Sequence, residues 1–144
     1  MGNQEKKATI EFFTPEVRER VWGEEILVAH IKGVATGKIL KMKAGTRGGL
    51  QKHQVKNEAG HLVSGEMLLE YDEGDGKITK VTVKPGQTVL IPTGAVHRET
   101  AITDCVIFEV SNPVFNDRVR MEEHYGEKID GGLPTTTVEE IRIG

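Results

Sequence analysis

Short apolar runs rich in β-branched residues, separated by turn residues, dominate the chain from about residue 24 to residue 111. Their length and composition are typical of β-strands rather than helices. The intervening segments contain glycine, proline and aspartate, and residues 72–76 have the composition of a hairpin turn. Many short strands with almost no helix predict an all-β domain, either a sandwich or a closed jelly roll. The predicted strands are 26–28, 39–42, 62–71, 78–83, 88–91 and 106–110.

The two ends of the chain follow other patterns. Thr14 and Pro15 suit the N-cap and the first position of a short helix, and residues 118–124 also suit a short helix. Residues 136–143 have a strand-like pattern without an evident partner in the chain. We expect them either to complete a sheet of a second subunit or to pack loosely. These patterns predict an N-terminal extension (1–23), a barrel (24–111) and a C-terminal extension (112–144).

Length and charge narrow the functional classes. A chain of 144 residues fits one domain of the usual size, about 100–150 residues, and can fold without a disulfide or a structural metal. The net charge of −3, with both signs interspersed, gives no basic stripe for nucleic acid. The first nine residues lack the apolar core of a signal peptide, and no run approaches the ~18 apolar residues of a membrane span. We therefore expect a cytoplasmic protein that binds a small molecule, with no nucleic-acid or membrane partner.

Two polar clusters interrupt the strand pattern and contain candidate metal ligands. Gln51 and His53 share one face of a strand, because alternate side chains point the same way, and Glu58 follows as the next strand begins. A later proline–glycine turn places His97 at the start of another strand. Two imidazoles and a carboxylate suit a divalent ion such as Zn, Mn, Fe, Co or Ni, and Gln51 could add a neutral oxygen. We predict one divalent metal ion on Gln51, His53, Glu58 and His97.

These clusters resemble the two characteristic motifs of the cupin superfamily, in the expected order. Residues 45–65 resemble the first motif, with Gln51 at the position where that motif has its first histidine. Residues 86–101 resemble the second, with Ala101 where asparagine is usual. The resemblance implies a double-stranded β-helix, which is the jelly-roll barrel of cupins, with short helical segments near the termini.

The glutamine makes the chain similar in particular to the cupin domain of type II mannose-6-phosphate isomerases. Trp22-Gly23, Lys38 and residues 117–126 also resemble local features of that family, so the similarity covers about residues 20–126. It implies a metal-dependent enzyme that acts on a carbohydrate or sugar phosphate by isomerase-type proton transfer, with the metal as Lewis acid. By the same resemblance, Lys38 is a candidate ligand for a substrate oxyanion or phosphate.

Four side chains are candidates for catalysis or substrate binding. Glu99 shares a strand face with His97, so we expect it to point into the barrel. Glu109 interrupts an apolar strand: if buried, its pKa would be raised and it could act as a base, whereas an outward or ion-paired position would exclude that role. Lys38 either binds an anion or faces solvent. Arg47, in a glycine-rich loop, either clamps an anion bidentately or is a mobile surface residue.

Two other functions fit the same sequence. A mononuclear iron or nickel dioxygenase would use the same two-histidine, one-carboxylate set, and a non-catalytic cupin would bind a sugar or metal without turnover. We also expect a homodimer, because cupin barrels commonly pair through a sheet and the terminal strand-like segment needs a partner.

Overall fold

Eleven β-strands and two short 3-10 helices make up the computed structural model, which describes residues 7–144. The helices are Glu122–Tyr125 and Val138–Glu140. The strands are β1 (Glu16–Arg20), β2 (Gly23–Ile31), β3 (Ala35–Met42), β4 (Gln51–His53), β5 (Glu58–Ser64), β6 (Met67–Asp72), β7 (Ile78–Val83), β8 (Thr88–Ile91), β9 (His97–Ala101), β10 (Cys105–Ser111) and β11 (Arg118–Arg120).

The strands form two antiparallel sheets. One has six strands in the order β1-β2-β3-β10-β5-β8, and the other has five in the order β11-β4-β9-β6-β7. Strands that are distant in sequence, such as β3 and β10, are neighbours in the sheets, while β1 and β11 each lie at the edge of a different sheet. This topology confirms the predicted all-β jelly roll.

Strands β3, β10 and β5 of the six-stranded sheet change from polar to apolar along their inner face. Lys38 and Glu109 pair across β3 and β10, and two residues further along Leu40 pairs with Ile107. Leu62 on β5 pairs with the same Ile107. The apolar residues form a buried core at one end of the space between the sheets. The polar residues line a cavity at the other end.

The termini differ from the predicted pattern. The prediction of a helix that starts at Thr14 is wrong. Residues 16–20 instead form β1, and every residue of that strand pairs with β2. Residues 118–124 contain β11 and then the start of a 3-10 helix. The strand-like segment 136–143 contains another 3-10 helix, and Ile143 forms an isolated bridge with Val114 within the same chain.

The predicted strand 62–71 is divided into β5 and β6 at Gly65. This residue has φ +91°, and a Cβ there would lie 2.2 Å from the carbonyl oxygen of Asp104. Only glycine fits such a close approach in that conformation. Because β1 and β11 belong to the sheets, parts of the predicted extensions are integral to the two-sheet structure. The domain boundaries themselves stay predictions, and residues 1–6 of the first extension lie outside the described residues.

Neither helix in residues 7–144 is long and apolar enough to span a membrane.

Candidate metal centre

The three predicted ligands with titratable side chains meet between the sheets. His53 ends β4, Glu58 begins β5 and His97 begins β9. The Nε2 atoms of His53 and His97 each lie 3.3 Å from Oε1 of Glu58. One ligand atom from each residue lies within 4.8 Å of the other two, and all three side chains are buried. Strand ends from both sheets therefore bring together residues that are up to 44 positions apart in the numbering.

The histidine rings are held by their other nitrogen. Nδ1 of His53 donates to Oδ1 of Asp117 at 2.8 Å, and Nδ1 of His97 donates to the carbonyl oxygen of Ala95 at 3.1 Å. Each of these bonds selects the tautomer whose Nε2 lone pair points toward Glu58 when the ring is neutral. Two atoms bound to one zinc-sized ion at about 2.1 Å lie roughly 3.0–3.4 Å apart, close to the separations found here. The donor set therefore fits a divalent metal.

Gln51 has a compatible position. It lies two residues before His53 on β4, pairs directly with His97 on β9, and lines the same cavity. Its side chain therefore belongs to the wall that carries the two histidines. Its role as a fourth ligand stays a prediction.

The cavity beside the candidate ligands has a volume of about 330 Å³. Glu99, Glu109 and Lys38 line it, so the structure brings all three predicted catalytic residues to the same space as the metal centre. Glu109 is both buried and ion-paired, since Nζ of Lys56 lies 3.8 Å from its Oε1, and its role as a base stays a prediction. Trp22 and Met42 contribute an apolar part of the wall.

A buried lysine links two of the carboxylates. Nζ of Lys56 lies 3.1 Å from Oε2 of Glu58 and 3.8 Å from Oε1 of Glu109. Although burial alone would lower the pKa of Lys56, these two carboxylates raise it above its usual value. Lys56 therefore stays charged and fixes the carboxylate of Glu58 on the side opposite the histidines.

The carboxylates around Lys56 have opposite pKa shifts. Burial would raise the pKa of Glu58, but the charge of Lys56 and the hydrogen bonds from His53 and His97 lower it well below its usual value. Burial raises the pKa of Glu109 well above its usual value, and the charge of Glu58 adds to the effect. The site thus holds an ionised carboxylate next to one that retains its proton more readily.

Burial and neighbouring charges also shift the pKa values of Glu99 and His97. Burial raises the pKa of Glu99, although the charge of His97 opposes the shift. Burial would lower the pKa of His97, but the hydrogen bond to Glu58 and the charge of Glu99 raise it to about 9. The imidazole of His97 is therefore protonated at neutral pH in the metal-free protein.

The two side chains predicted to bind a substrate anion, Lys38 and Arg47, have different surroundings. Nζ of Lys38 lies in the cavity wall and forms an ion pair with Oε1 of Glu25 at 2.7 Å. Arg47 is exposed, forms an isolated bridge with Thr100, and does not line the cavity. Its predicted contact with a substrate has no support from this geometry.

Sequence reasoning missed Lys56 and Asp117 as parts of the site. Lys56 is two residues before Glu58, but a lysine in a polar loop ordinarily faces solvent. Asp117 lies in the segment 117–126 that resembles the isomerase family, which was the only signal for it. Its carboxylate also accepts hydrogen bonds from the backbone amides of Val55 and Lys56.

Residues 38–111 match the family model described as "Cupin domain". The chain belongs to the cupin family. The match covers the candidate ligands Gln51, His53, Glu58 and His97, but not Asp117. It confirms the cupin prediction, while the finer similarity to type II mannose-6-phosphate isomerases stays a prediction.

Solved structures share the fold of this cupin. The capsular polysaccharide assembling protein CapF from Staphylococcus aureus matches with a TM-score of 0.63 and 19% identity, over 92% of this chain and 32% of CapF. KdgF from Halomonas sp. matches with a TM-score of 0.53 and 20% identity, over 61% of this chain and 76% of KdgF. Bacillus subtilis oxalate decarboxylase, a protein with Mn(II) centres, matches with a TM-score of 0.61 and 16% identity, over 73% of this chain and 30% of the enzyme.

These identities establish a shared fold and nothing more about activity. The chain spans about a third of the length of CapF and of oxalate decarboxylase. No curated protein matches the chain.

Proposed function

We propose that this cupin is a metal-dependent enzyme that catalyses isomerase-type proton transfer on a carbohydrate or a sugar-phosphate-like molecule. The observation that supports the proposal is the set of side chains that line one cavity. It contains a His–Glu–His donor set, and the carboxylates that line it outside that set include Glu99 and Glu109. The volume of about 330 Å³ lies near the lower end of ligand pockets, roughly 300–1,000 Å³, and suits a small molecule.

His53, Glu58 and His97 would hold the metal, with Gln51 as the predicted fourth ligand. A divalent ion there would supply a Lewis acid that polarises a carbonyl or hydroxyl oxygen. Asp117 positions the ring of His53, and Lys56 positions the carboxylate of Glu58. Both contacts are made by buried groups, so the donor set is organised before any ligand enters.

Isomerisation of a sugar needs a group that takes a proton from the carbon beside a carbonyl and returns it to the neighbouring carbon. Glu109 and Glu99 can carry that proton, because both line the cavity and neither belongs to the donor set. Glu109 lies beside Lys56, which can stabilise its ionised form when it acts as a base. We therefore assign Glu109 as the first candidate base and Glu99 as the second.

Proton exchange with solvent tests this proposal. Protein loaded in turn with Zn, Mn, Fe, Co or Ni would be incubated in D₂O with a panel of aldoses, ketoses and their phosphates. Deuterium at the carbon beside the carbonyl would be detected by NMR. We expect exchange that requires metal, is lost in Glu109→Gln, and persists in Glu123→Gln, which changes an exposed glutamate. Metal content measured on both variants shows whether the centre is intact.

The other functions give different results in the same experiment. Oxygen consumption that occurs only with iron or nickel would replace the proposal with a dioxygenase. A sugar that binds without proton exchange or turnover would replace it with a non-catalytic binder.

A further inference from the structure

Cationic side chains from both sheets line the cavity. Arg20 lies on β1 at the edge of the six-stranded sheet, and Arg118 lies on β11 at the edge of the five-stranded sheet. Both line the cavity, together with Lys38 of β3. Two arginines and a lysine therefore surround one space, although they come from three different strands.

One carboxylate is paired with two of these three cations. Glu25 lies 2.7 Å from Nη2 of Arg20 through Oε2, and 2.7 Å from Nζ of Lys38 through Oε1. Glu19 also borders the cavity, but it is exposed and makes no ion pair with any residue of 7–144. Arg20 and Lys38 thus share Glu25 as their ion-pair partner.

Arg118 is the member without a carboxylate. Its Nη1 donates to the carbonyl oxygen of Pro134 at 3.2 Å and to Oγ1 of Thr136 at 3.4 Å, both of which are neutral acceptors. In the described part of the chain, no carboxylate oxygen lies within 4.0 Å of its guanidinium. The buried arginines Arg98 and Arg120 differ, since both form ion pairs with glutamates.

The surroundings of Arg118 disfavour its charge. Its side chain is half-buried, and burial together with the nearby charge of Arg20 lowers its pKa from the usual value, although the charges of Asp117 and Glu25 oppose the shift. A guanidinium with free donors in a partly desolvated wall can form strong bidentate bonds with an incoming carboxylate or phosphate. The existing contacts of Arg118 leave its Nη2 and Nε donors available for that purpose.

The register of the sheet places Arg118 beside the metal centre. Arg118 on β11 pairs directly with His53 on β4. Directly opposed residues of antiparallel strands project from the same face of the sheet and lie within about 5.5 Å of each other at Cβ. A ligand held by Arg118 therefore has its remaining atoms next to His53, Glu58 and His97.

We propose that Arg118, assisted by Arg20 and Lys38, binds the anionic group, a carboxylate or a phosphate, of a ligand whose other end faces the metal centre. The assignment of that ligand as a substrate rests on the proposed function, whereas binding of the anion does not. Arg118 takes the role that the sequence had suggested for Arg47.

Matched pairs of neutral and anionic sugars test this inference by calorimetry on zinc-loaded protein. Mannose and mannose 6-phosphate form the phosphate pair, and glucose and glucuronate form the carboxylate pair. We expect the anionic member of at least one pair to bind at least about tenfold more tightly than its neutral partner, as strong charge-assisted contacts predict. The pair that shows the preference identifies the anion.

Four variants identify the residues that cause the preference. Arg118→Gln is expected to abolish it, Arg20→Gln to reduce it, and Arg47→Gln, which changes the exposed arginine, to leave it unchanged. Arg118→Lys keeps a charge without the planar fork and should give an intermediate affinity. Zinc stoichiometry of one in each variant shows that the fold and the metal centre are preserved.

Three results would overturn the inference. The first is the absence of an anion preference in the unmodified protein, which includes the absence of any binding. The others are a preference that is retained in Arg118→Gln and a preference that is lost in Arg47→Gln. Failure of the proposed function is a separate outcome. An anion preference that depends on Arg118 but is accompanied by no proton exchange would retain this inference and contradict the isomerase. Proton exchange on neutral sugars without an anion preference would support the isomerase and overturn this inference.

Discussion

Asp117 holds Nδ1 of His53 at 2.8 Å across 64 positions of the sequence. Asp117 is almost fully buried and lies beyond the residues that match the cupin family model. The C-terminal part of the chain therefore orients a candidate metal ligand of the barrel. Contacts of this kind commonly influence metal affinity because they fix both the ring and its tautomer.

We predict that Asp117→Asn weakens metal binding by about 10–100-fold, as loss of such a partner does in other metal sites. The amide group cannot accept from His53, Val55 and Lys56 with both of its terminal atoms, so the ring loses its fixed orientation. Competition with a chelator measures the affinity. Asp130→Asn, at an exposed position, is the control and should bind metal as the unmodified protein does. Equal affinities in the two variants would contradict the role of Asp117.

His53 and His61 provide a direct test of the ligand set. His53 belongs to the buried cluster, whereas His61 contacts Thr88 through its Nδ1 atom and lies outside it. We expect His53→Ala to lose the bound divalent ion and His61→Ala to retain it, as measured by metal analysis after dialysis. Full metal content in His53→Ala would show that the assigned centre is wrong.

The buried Lys56 should contribute strongly to stability. Lys56→Met leaves Glu58 and Glu109 in the protein interior without their common cation. Removing one partner of a buried ion pair costs about 3–5 kcal/mol, so we expect a loss of that order in the free energy of unfolding by urea. Adding Glu109→Gln should recover part of the loss, because only one carboxylate then remains.

The exposed ion pair of Lys84 and Glu66, at 3.4 Å, is the control for Lys56. Lys84→Met should change the free energy of unfolding by no more than about 0.5 kcal/mol, as is usual at exposed sites. Similar losses for the two lysine variants would mean that burial of the Lys56 pair has no special energetic role.

Metal uptake should depend on pH through His97. The pKa of this imidazole is raised to about 9 in the metal-free protein, so a proton occupies it through neutral pH. A metal ion must displace that proton, and its apparent affinity should therefore rise with pH, by up to about tenfold per unit, and level off near pH 9. Chelator competition measures the affinity, and calorimetry in buffers of different ionisation enthalpy measures the released proton. An affinity that does not change between neutral pH and pH 9 would contradict this assignment.

The homodimer expected from the sequence stays a prediction. Phe12 is 95% exposed in the N-terminal segment, and Leu90 is 74% exposed on β8. Burial of such side chains favours association. Light scattering coupled to size-exclusion chromatography should give the mass of two chains. The mass of one chain at every concentration tested would show that this prediction is wrong.

The residues of the candidate metal centre and most strands could be predicted because their signals are local. Alternate positions on one strand place Gln51 and His53 on the same face, and the turn before β9 places His97 at its start. The predicted central strands contain β-branched residues in short runs. Such features depend on neighbours in the sequence and not on the pairing of distant strands.

The features that the sequence did not predict depend on contacts between distant segments. Strand β1 has the sequence EVRER, whose charged residues predict no strand, and it exists because it pairs with β2. Arg118 reaches the cavity because β11 pairs with β4. Lys56 is buried because Glu58 and Glu109 surround it. A single sequence contains no local signal for which strands become neighbours or which charges become paired.

The change from polar to apolar residues along β3, β10 and β5 separates two tasks within the same strands. Ile107 and Leu62 belong to the apolar core at one end, Lys38 and Glu109 line the cavity at the other, and Leu40 belongs to both. Substitutions at the cavity end can therefore alter ligand preference without creating voids in the apolar core. The cavity end can therefore acquire new chemistry over evolutionary time while core residues outside the cavity wall, such as Ile107 and Leu62, continue to stabilise the fold.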